Sequence, residues 1–409
     1  MRMTGRQLAD RRQRRAGRIL VTGGTGFLGG HILVKLLTRG YDVIALARPG
    51  KRLSPRERIG QLLDWFSLDD TTRSRIEVVE GSIDESNLGL NSKECAPLLD
   101  GVSEIVHCAS DTSFSERKKA DVERVNVKGM ENVLDFAVNG GCSFLHYMST
   151  AYVAGRKSGI CREELVENGF FTNVYEETKC RAEWMAAERC GSAGIKLSIY
   201  RPSIVYGNST TGRSTKFNAV YYPVKTLLFL KNLYETDIRE GGGNRAREMG
   251  VELTGDGVLR LPIRVEVTEN GGLNLIPINY FAEAFTALME ECLDGGIFHI
   301  VNHRPKRVED LIDYTKMLFK IDGLVPCIKA ALDGKPKNAL EILFDNYLEV
   351  YAPYMMDTRI FDDQKTRSIL SKRGLACPDF DFAVFSRCMN YAVECGWGSK
   401  LFEDKPSKE

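Results

Sequence analysis

Tyr175 and Lys179 form Y-x-x-x-K in a stretch that reads as a helix, Val174 to Cys190, and an i to i+4 spacing puts both side chains on one face. A tyrosine four residues before a lysine says little alone. The chemistry it allows is specific: when negative charge develops on a carbonyl oxygen, a phenol within about 3 Å can donate the proton that oxygen needs. A free phenol, with a pKa of about 10, holds its proton tightly, and a neighbouring ammonium lowers that pKa by favouring the phenolate. Thr150 lies earlier in the chain, at the end of an expected strand through Met148, where its hydroxyl can hydrogen-bond the same oxygen. Ser149 competes for that role.

A second constellation would bring the reductant. The segment VTGGTGFLGG, Val21 to Gly30, ends one expected strand and opens a helix, with glycines at Gly23, Gly26 and Gly29 and with Thr25, Phe27 and Leu28 between them. This G-x-x-G-x-x-G is a variant of the dinucleotide fingerprint. The first glycine serves a tight turn, the second lets backbone approach a pyrophosphate, and the third packs helix on strand, while the helix N-terminus offers amide donors. At the end of the next strand an acidic residue would bind a ribose 2′-hydroxyl. Here the chain reads Ala45-Leu46-Ala47-Arg48, then Lys51 and Arg52, with no carboxylate, so NADP is expected over NAD. A merely solvated basic loop is the competing reading of Arg48.

These residues need a scaffold that sets them at strand ends. From Arg18 onward, short β-branched runs alternate with amphipathic ones. Strands are expected at 19–22, 42–47, 76–80, 104–107, 143–148 and 196–200, with helices at 27–38, 55–67, 122–138 and 174–190. The pattern predicts an α/β protein: a Rossmann-type doubly wound parallel sheet over 18–207, completed by about 266–302 through strands at 275–278 and 297–301. Residues 208–265 and 303–409 are expected to form a smaller, mostly helical C-terminal substrate lobe, and 1–17, with most of the seven arginines of the first eighteen residues, a basic disordered leader.

Composition narrows the partners. Of 409 residues, 56 are basic and 55 acidic, a formal charge of +1 that gives no reason to expect nucleic acid as a partner. Eleven cysteines without a C-x-x-C pair point to reduced thiols and a cytoplasmic setting, and away from a disulfide framework or a zinc site. His31 and His107 have no second ligand at metal spacing and read as packing residues, so no metal is expected. The most apolar stretch, Phe217 to Leu233, is broken by Lys225 and Lys231, so no transmembrane segment is expected. That stretch is apolar enough to wall an acyl chain, although lobe core is its commoner use. An oligomer is compatible with everything above.

Four motifs in order, VTGGTGFLGG, STAYVAG at Ser149 to Gly155, YEETK at Tyr175 to Lys179 and RPSIVYG at Arg201 to Gly207, resemble the extended short-chain dehydrogenase/reductase family. The resemblance selects Thr150 over Ser149 and implies a Thr150, Tyr175, Lys179 triad, with Lys179 also touching the nicotinamide ribose. It implies that Arg201, Pro202, Ser203 and Ile204 line the nicotinamide pocket. Three features look closer to the thioester-reductase and fatty-acyl reductase branch, which includes the terminal domains of carboxylic acid reductases. They are the extra helical segment at 54–74, RIEVVEGSIDESNLGL at Arg75 to Leu90, and VHCASDTSF at Val106 to Phe114. By the same resemblance Ser82 and Ile83 meet the adenine, Ser82 standing where many relatives carry aspartate. Cys108, Ala109, Ser110 and Asn126 are implied at the cofactor cleft, where Asp111 and Ser113 are weaker candidates.

The resemblance implies an NADPH-dependent reductase of an acyl thioester, held on coenzyme A or an acyl carrier protein, to the aldehyde, with further reduction to alcohol left open. Two alternatives use the same fold differently. One is a ketone or aldehyde reductase or a nucleotide-sugar epimerase or dehydratase; the other is a non-catalytic NADP-sensing module, which has no need of a proton donor.

Overall fold

Seven short strands form one parallel sheet in the computed structural model, which describes residues 17–402 apart from 168, 270 and 333. Counting all fourteen strands of the described residues along the chain, this sheet takes β1 (Arg18–Thr22), β2 (Val43–Ala47), β3 (Ile76–Glu80), β4 (Val102–His107), β5 (Phe144–Met148), β7 (Lys196–Pro202) and β12 (Gly296–Ile300). Across the sheet they run β12-β7-β5-β4-β1-β2-β3. Because β1 sits beside β4, successive connections diverge from that pair and leave a crevice beyond the strands' carboxyl ends, where ligands bind in sheets of this kind. β2 and β5 are buried at every position, since helices cover both faces, which is why they read as unbroken apolar runs.

The expected helix over 122–138 is three pieces. Lys119–Glu123 and Gly129–Asn139 are α-helical, and Arg124–Lys128 between them widens into a π-type turn. Such a turn admits one extra residue and commonly marks a functional position. Asn126 lies in it.

The lobe is less helical than expected. β9 (Glu252–Leu253), β10 (Leu259–Val267) and β13 (Ile321–Ile328) make a three-stranded sheet of their own. β10 runs past the expected boundary at 265, and its Pro262 falls where the register shifts between Arg260 and Ile263, a place that tolerates a missing amide donor. Arg264 fixes β10 to the helix Ala339–Leu348 by a forked pair with Glu341, Nε to Oε1 at 2.6 Å and a second nitrogen to Oε2 at 2.7 Å. That guanidinium holds the Glu341 carboxyl down at about 2.

Two expectations about connectivity are corrected. Leu275–Pro277 is β11, and it pairs with β8 (Ile204–Tyr206) instead of joining the large sheet. The C-terminal segment is also not lobe throughout. β14 (Ile360–Phe361) pairs with β6 (Ile160–Cys161), and the helix Gln364–Ser371 packs on β12 and on the helix Ile278–Glu291, because its Leu370 belongs to the core under the large sheet. The expected disordered leader, 1–17, lies outside the described residues apart from Gly17. Among the described residues no helix is long and apolar enough to cross a membrane.

Candidate active site

The first βα turn is built on two close approaches. Gly23 has φ +73°, and a Cβ there would meet the Ala109 amide at 2.5 Å; a Cβ on Gly29 would lie 2.2 Å from the Gly23 carbonyl. Glycine is therefore forced at both positions. The helix that follows, Phe27–Thr38, has Gly26 as its N-cap, no side-chain cap and no acid in its first turn. Its leading amides and the positive end of its dipole are left for an anion.

Three strand ends converge on a cavity of about 610 Å³. Gly23, Gly26, Phe27, Leu28 and Gly29 line it after β1, Cys108 and Ser110 after β4, and Ser149 and Thr150 after β5. Tyr175 and Lys179 enter from the helix Val174–Ala193, whose start is fixed by the Asn173 side chain accepting the Glu176 amide at 3.1 Å. Pro202, Ser203 and Ile204 close it from β7 and β8. The Ser149 and Ser203 hydroxyls are buried there with no hydrogen-bond partner among the described residues.

Thr150 and Tyr175 meet through their hydroxyls. Burial pushes the Tyr175 phenol well above its usual value, and the bond to Thr150 pulls it partway back. This corrects the expectation that Lys179 makes the phenol acidic. Lys179 is itself almost fully buried, its ammonium donating to the Met148 carbonyl and lying 4.2 Å from the centre of the Tyr147 ring, and desolvation lowers it to about 7. The result is a phenol that keeps its proton at neutral pH and, lining the same cavity, an amine that can lose one.

Asn126 acts behind the cavity wall. Its Oδ1 accepts from the Asp111 amide at 2.8 Å and the Ser110 hydroxyl at 2.9 Å, and its Nδ2 donates to the Asp111 carbonyl and to Thr178 Oγ1. The π-type turn thus ties the loop after β4 to the helix of Tyr175. Ala109 lies behind the wall too, its amide on Thr22 Oγ1, as does Asp111, while Ser113 faces the cavity.

Some expected contacts lie elsewhere. Arg201 is buried and its guanidinium is spent on Glu183, at 2.9 and 2.5 Å, with the Arg162 carbonyl and His299 beside it, so it braces β7 and does not reach the cavity. Ser82 gives its hydroxyl to Asp84, which Arg124 also holds, and Ile83 is core against Gly129 with its carbonyl on Asn132. Thr25 and the exposed Arg48 flank the glycine turn outside the cavity. They are joined by a residue the sequence did not single out: Arg58 donates to the Arg48 carbonyl at 2.7 Å and to Thr25 Oγ1 at 3.3 Å. His31 and His107 are packing residues. Burial lowers them to about 4 and about 3, with His31 among Phe27, Trp65 and Phe66 and His107 on the Thr22 hydroxyl.

Beyond the triad the cavity runs into the lobe, lined by Val224 and Leu227 of the helix Tyr221–Glu240, Val265 of β10, Leu311 and Ile312 of the helix Val308–Phe319, and Phe344. In the stretch read as either acyl wall or core, Val224 and Leu227 line the cavity and also belong to the lobe's hydrophobic cluster. Phe114, Tyr152, Lys216, Tyr351 and Tyr354 line it as well and were not anticipated as site residues.

A family model described as the NAD-binding male sterility protein matches residues 21–243, more than half of the chain. The chain belongs to this family. Its members are NAD(P)-dependent oxidoreductases of the extended short-chain dehydrogenase/reductase type, and the glycine turn, Thr150, Tyr175 and Lys179 of this member fall inside the matched region. The chain is similar to a linear gramicidin synthase of Brevibacillus parabrevis, at 22% identity over 92% of this chain and 7% of that protein. It is similar to a putative fatty acyl-CoA reductase of Drosophila melanogaster, at 28% identity over 46% of this chain and 41% of that protein. The crystal structure of the terminal R domain from the myxalamid PKS-NRPS biosynthetic pathway superposes with a TM-score of 0.73 at 23% identity, covering 93% of this chain and 92% of that one, and so shares its fold. The chain spans about half or less of the length of the curated relatives it matches.

Proposed function

We propose that this family member is an NADPH-dependent reductase that converts an acyl thioester, carried on coenzyme A or a carrier protein, to the aldehyde. The observation that carries the reading is the continuity of the cavity, from the glycine turn, past Thr150, Tyr175 and Lys179, into an aliphatic lobe. A sugar would leave those apolar walls unpaired, whereas an acyl chain fills them at about 0.8 kcal/mol per buried methylene.

The residues present suit a nicotinamide dinucleotide. The glycine cradle and uncapped helix would hold its pyrophosphate, Arg48 and Arg58 a 2′-phosphate, and the orphaned hydroxyls of Ser149 and Ser203 the polar atoms at its nicotinamide end. When bound, it supplies a hydride to the thioester carbonyl carbon. Thr150 and Tyr175 hydrogen-bond the oxygen on which charge collects, and Tyr175, protonated because it is buried, delivers the proton. Lys179, lowered to about 7 at the wall of the same cavity, is a group that can exchange a proton near neutrality. The hemithioacetal so formed then expels its thiol and leaves the aldehyde.

The test is loss of reduced-nicotinamide absorbance with a panel of acyl-coenzyme A thioesters, ketones and nucleotide sugars. Turnover of long-chain acyl-coenzyme A with trapped aldehyde is expected. Tyr175→Phe should slow it by about 10²- to 10⁴-fold while NADPH still quenches protein fluorescence. Turnover confined to a ketone or a sugar would overturn the thioester reading.

A further inference from the structure

Tyr354 stands far from the triad in sequence and next to it in space. Its hydroxyl donates to Glu176 Oε1 at 2.7 Å and accepts from Asn173 Nδ2 at 2.7 Å. Glu176 directly follows Tyr175 and is fully buried, and its second oxygen takes the Thr172 amide at 2.8 Å. Tyr354 is thereby locked to the first turn of the helix that carries the catalytic phenol, by a hydrogen bond to a buried carboxylate.

The ring itself is held between the neighbours of both reacting hydroxyls. It packs edge-on against Tyr152 at 4.9 Å and lies tilted against Phe114 at 5.5 Å; Phe114 lies 6.0 Å from the Tyr175 ring, and the Tyr152 amide rests on Thr150 Oγ1. All of these line the cavity. The chain beyond Tyr354 is pinned as well, since Arg359 holds Asp357, donates to the Gly155 carbonyl at 2.5 Å and covers the Tyr152 ring at 4.8 Å.

We propose that Tyr354, locked by Glu176 and Asn173, is the specificity-determining wall beside the reacting carbon, admitting straight acyl chains and excluding those branched next to the thioester carbonyl. This rests on the thioester reading above. A methylene chain slips past a fixed aromatic edge, but a substituent on the adjacent carbon must displace a ring held by a charged hydrogen bond and two ring contacts. The deeper walls, Val224, Leu227, Val265, Leu311, Ile312 and Phe344, are apolar side chains with no hydrogen-bonding group to lock them, so discrimination is concentrated at the carbonyl end. Glu176 is then a positioning residue that acts through Tyr354.

The experiment compares kcat/KM for a straight-chain acyl-coenzyme A and its 2-methyl isomer with NADPH. In Tyr354→Ala the ratio of branched to straight should rise about tenfold or more over wild type, chiefly through KM for the branched thioester. Tyr354→Phe and Glu176→Ala, which keep the ring and lose the lock, should each raise the ratio by a smaller factor, and Glu176→Gln, which keeps an acceptor, should restore it toward wild type. If Tyr354→Ala does not fold, Tyr354→Phe and Glu176→Ala decide the matter. A ratio unmoved in folded variants, or a wild type that takes both isomers equally, overturns the wall and leaves the thioester reading standing. A wild type that reduces neither isomer but reduces a ketone or sugar overturns that reading instead.

Discussion

Gly23, Cys108 and Met148 reach the cavity from the ends of neighbouring strands of one sheet, whereas Leu227, Val265, Leu311 and Phe344 reach it from four separate lobe elements. The first group is set by backbone: two glycines that tolerate no Cβ, and loops that follow strands in fixed register. The second is set by side-chain packing across long stretches of sequence. Polar groups divide the same way. In the sheet half the pairs Arg201 with Glu183 and Asn126 with Asp111 are buried and committed, with the Ser149 and Ser203 hydroxyls at the cavity left over, while in the lobe Arg264, about a quarter exposed, pairs with Glu341. A backbone-defined half can hold an invariant cofactor, and a packing-defined half can vary its substrate without disturbing that cofactor.

The largest expected effect tests whether the nucleotide half is one cooperative unit. Glu183→Ala strands the Arg201 guanidinium in a site about 1% exposed, and losing one member of such a buried pair costs about 4 kcal/mol. Denaturant melts should show that loss together with the disappearance of NADPH binding, because the pair joins the Tyr175 helix to β7. A variant that loses less than about 1 kcal/mol would mean that the large sheet does not need this brace.

What the sequence revealed follows the same division. The helix Phe27–Thr38 was legible because a glycine turn precedes it and Gly40 follows it, and β3 because Ile76–Glu80 is bounded by a helix and Gly81. That Thr150, Tyr175 and Lys179 share one cavity was legible because each sits on a local motif. The destination of Arg201 was not, since Glu183 and His299 are brought to it only by the pairing of β7 with β12 and the helix packed on them. The β10–β13 pairing joins Leu259 to Ile321, and Tyr354 meets Glu176 across 178 positions, so no window of local periodicity contains either contact. Asn126 was assigned to the right region but the wrong element, because the π-type turn interrupts a helix whose apolar pattern runs on through it.

A smaller effect should separate the halves. Glu341→Gln replaces the acceptor of a forked guanidinium bond and of the Asn338 capping box, a loss of about 2 kcal/mol at pH 7. The wild-type carboxyl is held at about 2 against an ordinary 4.5. A depressed folded-state value means that the pair's stabilisation is complete above about pH 4.5 and is lost as pH falls toward 2. Melts of the two proteins should therefore differ at pH 7 and converge only as pH falls to about 2. NADPH binding should survive the change while KM for the acyl substrate rises. Equal damage to both would show that lobe and sheet melt as one body.

The smallest effect concerns a contact within the nucleotide half that joins residues 33 positions apart. Arg58 comes from the helix Pro55–Trp65, whose start is fixed by a Ser54 and Glu57 capping box, and it bridges the Arg48 carbonyl and the Thr25 hydroxyl. Two arginines gathered at the end of β2 would favour a 2′-phosphate, but Arg48 is exposed and Arg58 only half-buried, so each contact is worth about 1 kcal/mol. Arg58→Ala should weaken NADPH about fivefold, leave NADH nearly unchanged, and lose its effect as salt is raised past about 0.5 M. If NADPH and NADH weaken together, Arg58 works by holding the glycine turn through Thr25 and not by charge, and the cofactor preference must then rest on Arg48 alone.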